Sequence, residues 1–303
     1  MSTRQGYAFI GLGHLGGQLA ASLIRNGFAV SVYDRDPAAV ECLVLLGAEA
    51  ANSPADAAAR AGNAITCLAS PKVSEAVLAG PDGLLEGLPS GGSWIEMSTN
   101  GQDEIVWLAA LASAAGVETL ECPVTGGVHL AAVGKITALV GGEAALYARH
   151  RPAIEAMCAR SFLMGPVGSA AAIKVITNML AFIHLVAAGE ALMLAKKSGL
   201  DLAQSYHAIV ASSGNSFVHE TESQLVLNGS YDIGFRARHG RKIRRAARAC
   251  ITYRCDLSAG QAGLWRQRLV DHDREAARGA VGTELRASGF PAKLEAEISQ
   301  IIN

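Results

Sequence analysis

Short apolar runs alternate with longer alanine-rich amphipathic segments through the first half of the chain. Residues 8–10, 29–33, 64–68, 93–97, 118–121 and 137–140 read as strands, and segments such as 54–60 and 102–115 carry the apolar spacing of helices. This alternation predicts a mostly parallel sheet with helices on both faces. Ligands of such a sheet bind beyond the carboxyl ends of its strands. After Phe162 the rhythm changes. Gly165-Pro166-Val167-Gly168 is a breaker cluster, and residues 169–198 then read as one helix ending at Gly199. No further glycine-rich strand-to-helix turn follows. The pattern therefore predicts an α/β chain in two parts: residues 1–165 around the sheet, and an all-α domain over 166–303 built on the long helix.

The first strand leads into Gly11-Leu12-Gly13-His14-Leu15-Gly16, and a helical pattern follows at once. Gly11 permits a tight turn. Gly13 lets backbone approach a pyrophosphate, and Gly16 lets the helix pack against the strand. The helix N-terminus adds free N–H groups and a positive dipole end. Asp34 closes the second apolar run, about 20 residues past the turn, where a carboxylate reaches the ribose hydroxyls of NAD. Strand, glycine turn, helix and acid together identify a dinucleotide-binding Rossmann domain. Asp34 repels a 2′-phosphate and favours NAD, while the adjacent Arg35 leaves NADP possible.

Composition narrows the field. Lys plus Arg number 26 and Asp plus Glu 27 in 303 residues, so no net charge draws the chain to nucleic acid. The six cysteines are scattered without ligand spacing, and neither a metal site nor a disulfide framework is expected. No leader-like segment opens the chain, and a cytoplasmic protein is expected. The apolar stretch 179–195 is interrupted by His184 and Glu190, and reads as a buried helix rather than a membrane span.

Several residues carry candidate chemistry. Lys174 and Asn178 stand four apart on one face of the long helix. By spacing alone Lys174 is either a desolvated proton carrier or a lysine snorkelling from a helix surface. The run Glu121-Cys122-Pro123-Val124-Thr125-Gly126-Gly127 follows a strand, and its glycine amides and threonine hydroxyl suit a small carboxylate. An ordinary strand-ending turn has the same composition. Leu68-Ala69 and Thr99 end two further strands, beside the adenosine path and the nicotinamide respectively.

Taken together, these motifs resemble the β-hydroxyacid dehydrogenases, the family of 3-hydroxyisobutyrate dehydrogenase and tartronate semialdehyde reductase. The likeness spans about residues 7–235. It rests on the glycine fingerprint, on Glu96-Met97-Ser98-Thr99, on Pro123-Val124-Thr125-Gly126-Gly127, and on Gly165 to Asn178. The resemblance implies hydride transfer between NAD(P) and a small 3-hydroxy acid or its semialdehyde. It implies Lys174 as general acid and base, with Thr125, Gly126, Gly127 and Asn178 holding the substrate. The cofactor would lie along Gly11 to Gly16, Asp34, Arg35, Leu68, Ala69 and Thr99, with a further contact from Lys242. A homodimer or homotetramer, and no nucleic-acid or membrane partner, complete the expectation. The alternatives are an imine reductase of the same superfamily, whose members typically replace the lysine, and a non-catalytic cofactor-binding protein using a basic segment. That segment departs from the family. Arginines stand at 236, 238, 241, 244, 245 and 248 with no acid between them, and Ile243 follows Lys242 where the family has aspartate. It reads as a solvated basic face, or as the product of a local reading-frame shift.

Overall fold

The computed structural model describes residues 5–228. Lys242 and the basic segment lie outside them. Nine strands are described: β1 (Tyr7–Ile10), β2 (Val30–Tyr33), β3 (Glu49–Ala50), β4 (Asn63–Thr66), β5 (Ser93–Glu96), β6 (Glu118–Glu121), β7 (Val124–Thr125), β8 (Ile136–Gly141) and β9 (Cys158–Gly165). The first eight helices are α1 (Gly16–Arg25), α2 (Pro37–Val44), α3 (Pro54–Ala61), α4 (Pro71–Ala79), α5 (Leu84–Gly87), α6 (Gln102–Ala114), α7 (Val128–Ala132) and α8 (Ala144–Met157). Beyond β9 come only helices: α9 (Ser169–Lys197), α10 (Leu202–Val210) and α11 (Phe217–Leu227).

The sheet runs β3-β2-β1-β4-β5-β6-β8-β7, with β9 paired to β8. Strands β1 to β6 are parallel, and β8 turns antiparallel to β6 and β7. The order 3-2-1-4-5-6 is that of a Rossmann domain, and its strand order reverses between β1 and β4. The crevice above that reversal is therefore bounded by the glycine turn after β1 and the segment after β4.

Local chemistry explains the helix starts. Asp36, Ser53 and Ser70 each accept a backbone N–H in the first turn of α2, α3 and α4, and a proline follows each at the first helical position. The cap satisfies an orphan donor, and the proline has no N–H to leave unpaired. The sheet's two faces are filled by two apolar clusters, one around Phe9, Leu19, Val32 and Ile154, the other around Ile10, Leu78, Trp94 and Leu108.

Two elements differ from the sequence pattern. β9 was not expected as a strand. It is the outermost partner of β8, and its side chains from Ala159 to Met164 are exposed or half-exposed, so it lacks the buried signature of the other strands. The long helix is present, but its apolar length is not buried as expected. Ala170, Ala171, Lys174 and Leu192 are its buried residues, while Ile176, Leu180, Ile183, Val186, Met193 and Leu194 are exposed. By length and composition alone this helix is apolar enough to cross a membrane. The sequence could not show which of its faces packs, because it is apolar all round.

At the opposite end of the sheet from the crevice, Tyr7 and His150 form a fully buried pair, with the phenol oxygen 2.8 Å from Nδ1. The His150 Nε2 has no partner, and burial holds its pKa down at about 4. Unfolded histidine binds a proton near pH 6.5, so this site's contribution is complete above that pH and lost as pH falls toward 4. Between pH 7 and pH 4 the wild type should lose on the order of 2–3 kcal/mol more than His150→Gln in urea unfolding. Parallel loss in the two proteins would exclude His150 as the source.

Candidate active site

The glycine turn has the geometry that the spacing suggests. Gly11 has φ +94°, and a β-carbon there would lie 2.5 Å from the carbonyl oxygen of Cys67. A β-carbon on Gly16 would lie 1.9 Å from the oxygen of Gly11. At Gly13 it would meet nothing within 4 Å, so this residue borders open space. No side chain caps the N-terminus of α1; its Gly17 N–H turns back to the Gly13 carbonyl at 2.9 Å and its Gln18 N–H to that of Leu15 at 3.1 Å. Open space over a close-packed turn at a helix N-terminus fits a pyrophosphate. Asp34 stands at the end of β2 and accepts the Leu12 N–H at 2.6 Å and the Asp36 N–H at 2.9 Å. The same carboxylate thus shapes the turn and keeps lone pairs for ribose hydroxyls. Arg35 and His14 are exposed beside it, and Leu15 is half-buried.

On the other side of the crevice, Leu68 packs near Gly11 and donates its N–H to Ser98 Oγ at 2.7 Å. Ala69 beside it is exposed. The Ser98 N–H in turn reaches Glu96 Oε1 at 2.6 Å. Glu96 is fully buried at the end of β5, and desolvation raises its pKa. It braces the loop that carries half-buried Thr99.

Lys174 is delivered by a different acid. Glu121 ends β6, is buried, and accepts three backbone N–H groups from the start of α9: Gly168 at 2.6 Å, Ala170 at 2.8 Å and Ala171 at 3.0 Å. These are orphan donors of a helix N-terminus, and a carboxylate suits the dipole there. In the sequence, the signal of Glu121 is an acid that closes a strand, directly before Cys122-Pro123. One turn beyond Ala170 stands Lys174, 8% exposed. Burial lowers its pKa from 10.5 to about 8. The surface-lysine reading is thereby excluded. Asn178 follows one turn later on the same face, half-buried.

Thr125 ends the short strand β7, paired to Thr137 of β8. Gly126 and Gly127 follow with φ +124° and +87°. Other residues rarely adopt this region, and here two consecutive glycines do. The His129 ring folds back over Gly127. Among the described residues there is no cluster of metal-ligating side chains.

Comparison with known proteins agrees with this arrangement. Residues 6–165 match the family described as the NAD binding domain of 6-phosphogluconate dehydrogenase, and residues 168–267 match that of NADP-dependent 3-hydroxyisobutyrate dehydrogenase. A 3-hydroxyisobutyrate dehydrogenase of Pseudomonas aeruginosa is 37% identical over 210 residues, covering 69% of this chain and 70% of that protein. An NAD-dependent L-serine dehydrogenase of the same organism is 35% identical, covering 70% and 72%. Among solved structures, the Mycobacterium tuberculosis 3-hydroxyisobutyrate dehydrogenase with L-serine superposes with a TM-score of 0.75 at 26% identity, covering 90% of this chain and 94% of that one.

The turn yields a direct test. Gly16→Ala should weaken NADH binding at least about tenfold, because the added methyl displaces the turn that faces the phosphates. Quenching of tryptophan fluorescence on NADH titration measures it. Unchanged affinity would place the pyrophosphate elsewhere.

Proposed function

Since this chain belongs to the NAD(P)-dependent β-hydroxyacid dehydrogenase family, we propose that it oxidises a small 3-hydroxy acid to its semialdehyde, reversibly, with Lys174 as general acid and base. The observation that carries this reading is a buried lysine, titrating near pH 8, at the carboxyl edge of a dinucleotide-binding sheet. When bound, NAD(P) supplies the hydride acceptor or donor at the alcohol carbon. The chain supplies the rest. Neutral Lys174 Nζ takes the hydroxyl proton during oxidation, and its ammonium returns that proton during reduction. A group titrating near the working pH does both, and such help contributes about 10²–10⁴ in rate. The ammonium also stabilises negative charge developing on the oxygen. The Gly126 and Gly127 amides and the Thr125 hydroxyl hold the substrate carboxylate, and Asn178 orients the reacting hydroxyl. The names of the relatives support a hydroxy acid as substrate. Asp34 favours NAD over NADP by repelling a 2′-phosphate. The exposed apolar flank of α9 supports assembly into a homo-oligomer. The even charge balance supports an enzyme without nucleic-acid partners.

Lys174→Ala should lower kcat by about 10² or more while NADH affinity stays within about twofold. Near-normal turnover would remove the lysine from the chemistry. In the wild type, kcat/KM for oxidation should rise with pH to a plateau above about 8, and kcat/KM for reduction should fall through the same pH. A pH-independent profile in both directions contradicts the assignment. NAD should be preferred to NADP by about tenfold or more in kcat/KM, equivalent to ~1.4 kcal/mol of charge repulsion; steady-state kinetics with both cofactors decide it.

Burying this ammonium also costs stability. Its folded pKa lies below the unfolded value, so the penalty is full below pH 8 and vanishes above about 10.5. Lys174→Met should therefore be inactive yet more stable at pH 7, by up to about 3 kcal/mol. A lower melting temperature than the wild type would show that the lysine is compensated.

A further inference from the structure

The glycine loop after β7 is packed by side chains of the turn that follows it. A β-carbon on Gly126 would stand 2.9 Å from Cδ1 of Leu130 and 3.6 Å from Cγ1 of Ile136, so its neighbours there are aliphatic. Ile136 is buried and Leu130 half-buried. A β-carbon on Gly127 would stand 3.1 Å from Cε1 and 3.2 Å from Nδ1 of His129. The two glycines therefore meet different company, one an apolar wall and the other an imidazole. Gly127 and His129 are both exposed, whereas Thr125 and Gly126 are half-buried, so the ring stands at the open end of the loop. Among the described residues, the imidazoles of His150 and His219 are hydrogen-bonded, and that of His129 is not. Imidazole carries one N–H when neutral and two when charged, so a donor is present in either state. An uncommitted donor thus lies against the loop assigned to the substrate carboxylate.

We propose that His129 completes the carboxylate seat, with a ring N–H donating to the substrate carboxylate alongside the Gly126 and Gly127 amides. The inference deepens the reading of Gly126–Gly127 as that seat and rests on it. The β-carbon position is two bonds from the Gly127 nitrogen, so Nδ1 stands no more than about 6 Å from that amide. A carboxylate accepts on two oxygens at about 2.7–2.9 Å each, and so bridges two donors set that far apart. A hydrogen bond to an ionised acceptor is about twice as strong as a neutral one. It also orients. Backbone amides gripping one edge of a carboxylate leave it room to swing, and a side-chain donor from the next turn removes that freedom. The carbon bearing the hydroxyl is then held in fewer positions relative to Lys174. His129 acts on affinity for the acid, while the proton transfer stays with Lys174.

The test uses the full chain with NAD and whichever of 3-hydroxyisobutyrate, 3-hydroxypropionate and L-serine the wild type oxidises. His129→Phe keeps a flat ring over Gly127 and removes the donor, whereas His129→Gln keeps a donor. His129→Phe should raise KM for the acid about 10- to 100-fold, with kcat within about threefold and NADH affinity within about twofold. His129→Gln should recover most of that loss. A ring that only packs against the loop would leave His129→Phe unchanged, and that result overturns the proposal. So does a loss shared by KM, kcat and NADH affinity, or a loss that His129→Gln does not reduce. Thr125→Val separates this failure from a wider one. If it raises KM and His129→Phe does not, the seat stands without the histidine; if neither variant raises KM, the carboxylate binds elsewhere. A wild type inactive on all three acids would overturn the hydroxy-acid reading and the role of His129 with it.

Discussion

The carboxylate of Glu121 is the constraint on which the site is built. It ends β6, deep in the sheet, and satisfies three backbone donors at the start of α9. A helix begun this way is fixed in direction and in rotation, because Gly168, Ala170 and Ala171 all reach one side chain. Lys174 follows by helical geometry alone, one turn further along. The acid is costly to bury, and three amides together with the helix dipole offset that cost. Its side chain also fills the space beside Gly141, where a β-carbon would lie 2.2 Å from Oε1. Sheet, glycine and helix start are therefore fitted to one another around a single carboxylate.

A second acid plays the corresponding part for the cofactor crevice. Glu96 ends the neighbouring strand β5, and through Ser98 it ties the β5 loop to Leu68 beyond β4. Asp34 ends β2 and ties that strand to the glycine turn. Three parallel strands thus end in acids that accept backbone N–H groups at the carboxyl edge of the sheet. Loops at the carboxyl edge have few ladder bonds of their own, and these side chains supply the missing rigidity. The loops these bonds hold are ordered before any ligand arrives, which lowers the entropy lost on binding.

What the sequence made legible follows from distance along the chain. The glycine turn, Asp34 and the long helix are local patterns, and each is found where its spacing puts it. Lys174 was legible as a position but not as an environment, since burial at 8% exposure depends on packing against the sheet. Glu121 escaped because its acceptors are used by amides 47 to 50 residues away. β9 was missed because an edge strand with exposed side chains carries no alternation.

The exposed flank of α9 is the clearest case of composition outrunning local reading. An apolar helix of 29 residues suggests burial, yet in one chain only Ala170, Ala171, Lys174 and Leu192 are fully buried. The first turns are the ones that Glu121 anchors, and they place Lys174. The remaining turns contribute little to that placement, and although α10 and α11 pack along them, Ile176, Leu180, Ile183, Val186, Met193 and Leu194 stay exposed. Such a surface is unfavourable in water in proportion to its area. The two ends of one helix thus answer to different demands. The first is set by the chemistry of the crevice, and the second by whatever apolar surface comes to lie against it. A substitution in the second half that changes assembly should leave the proton-carrying end in place, because the hydrogen bonds that orient it are all made before residue 172.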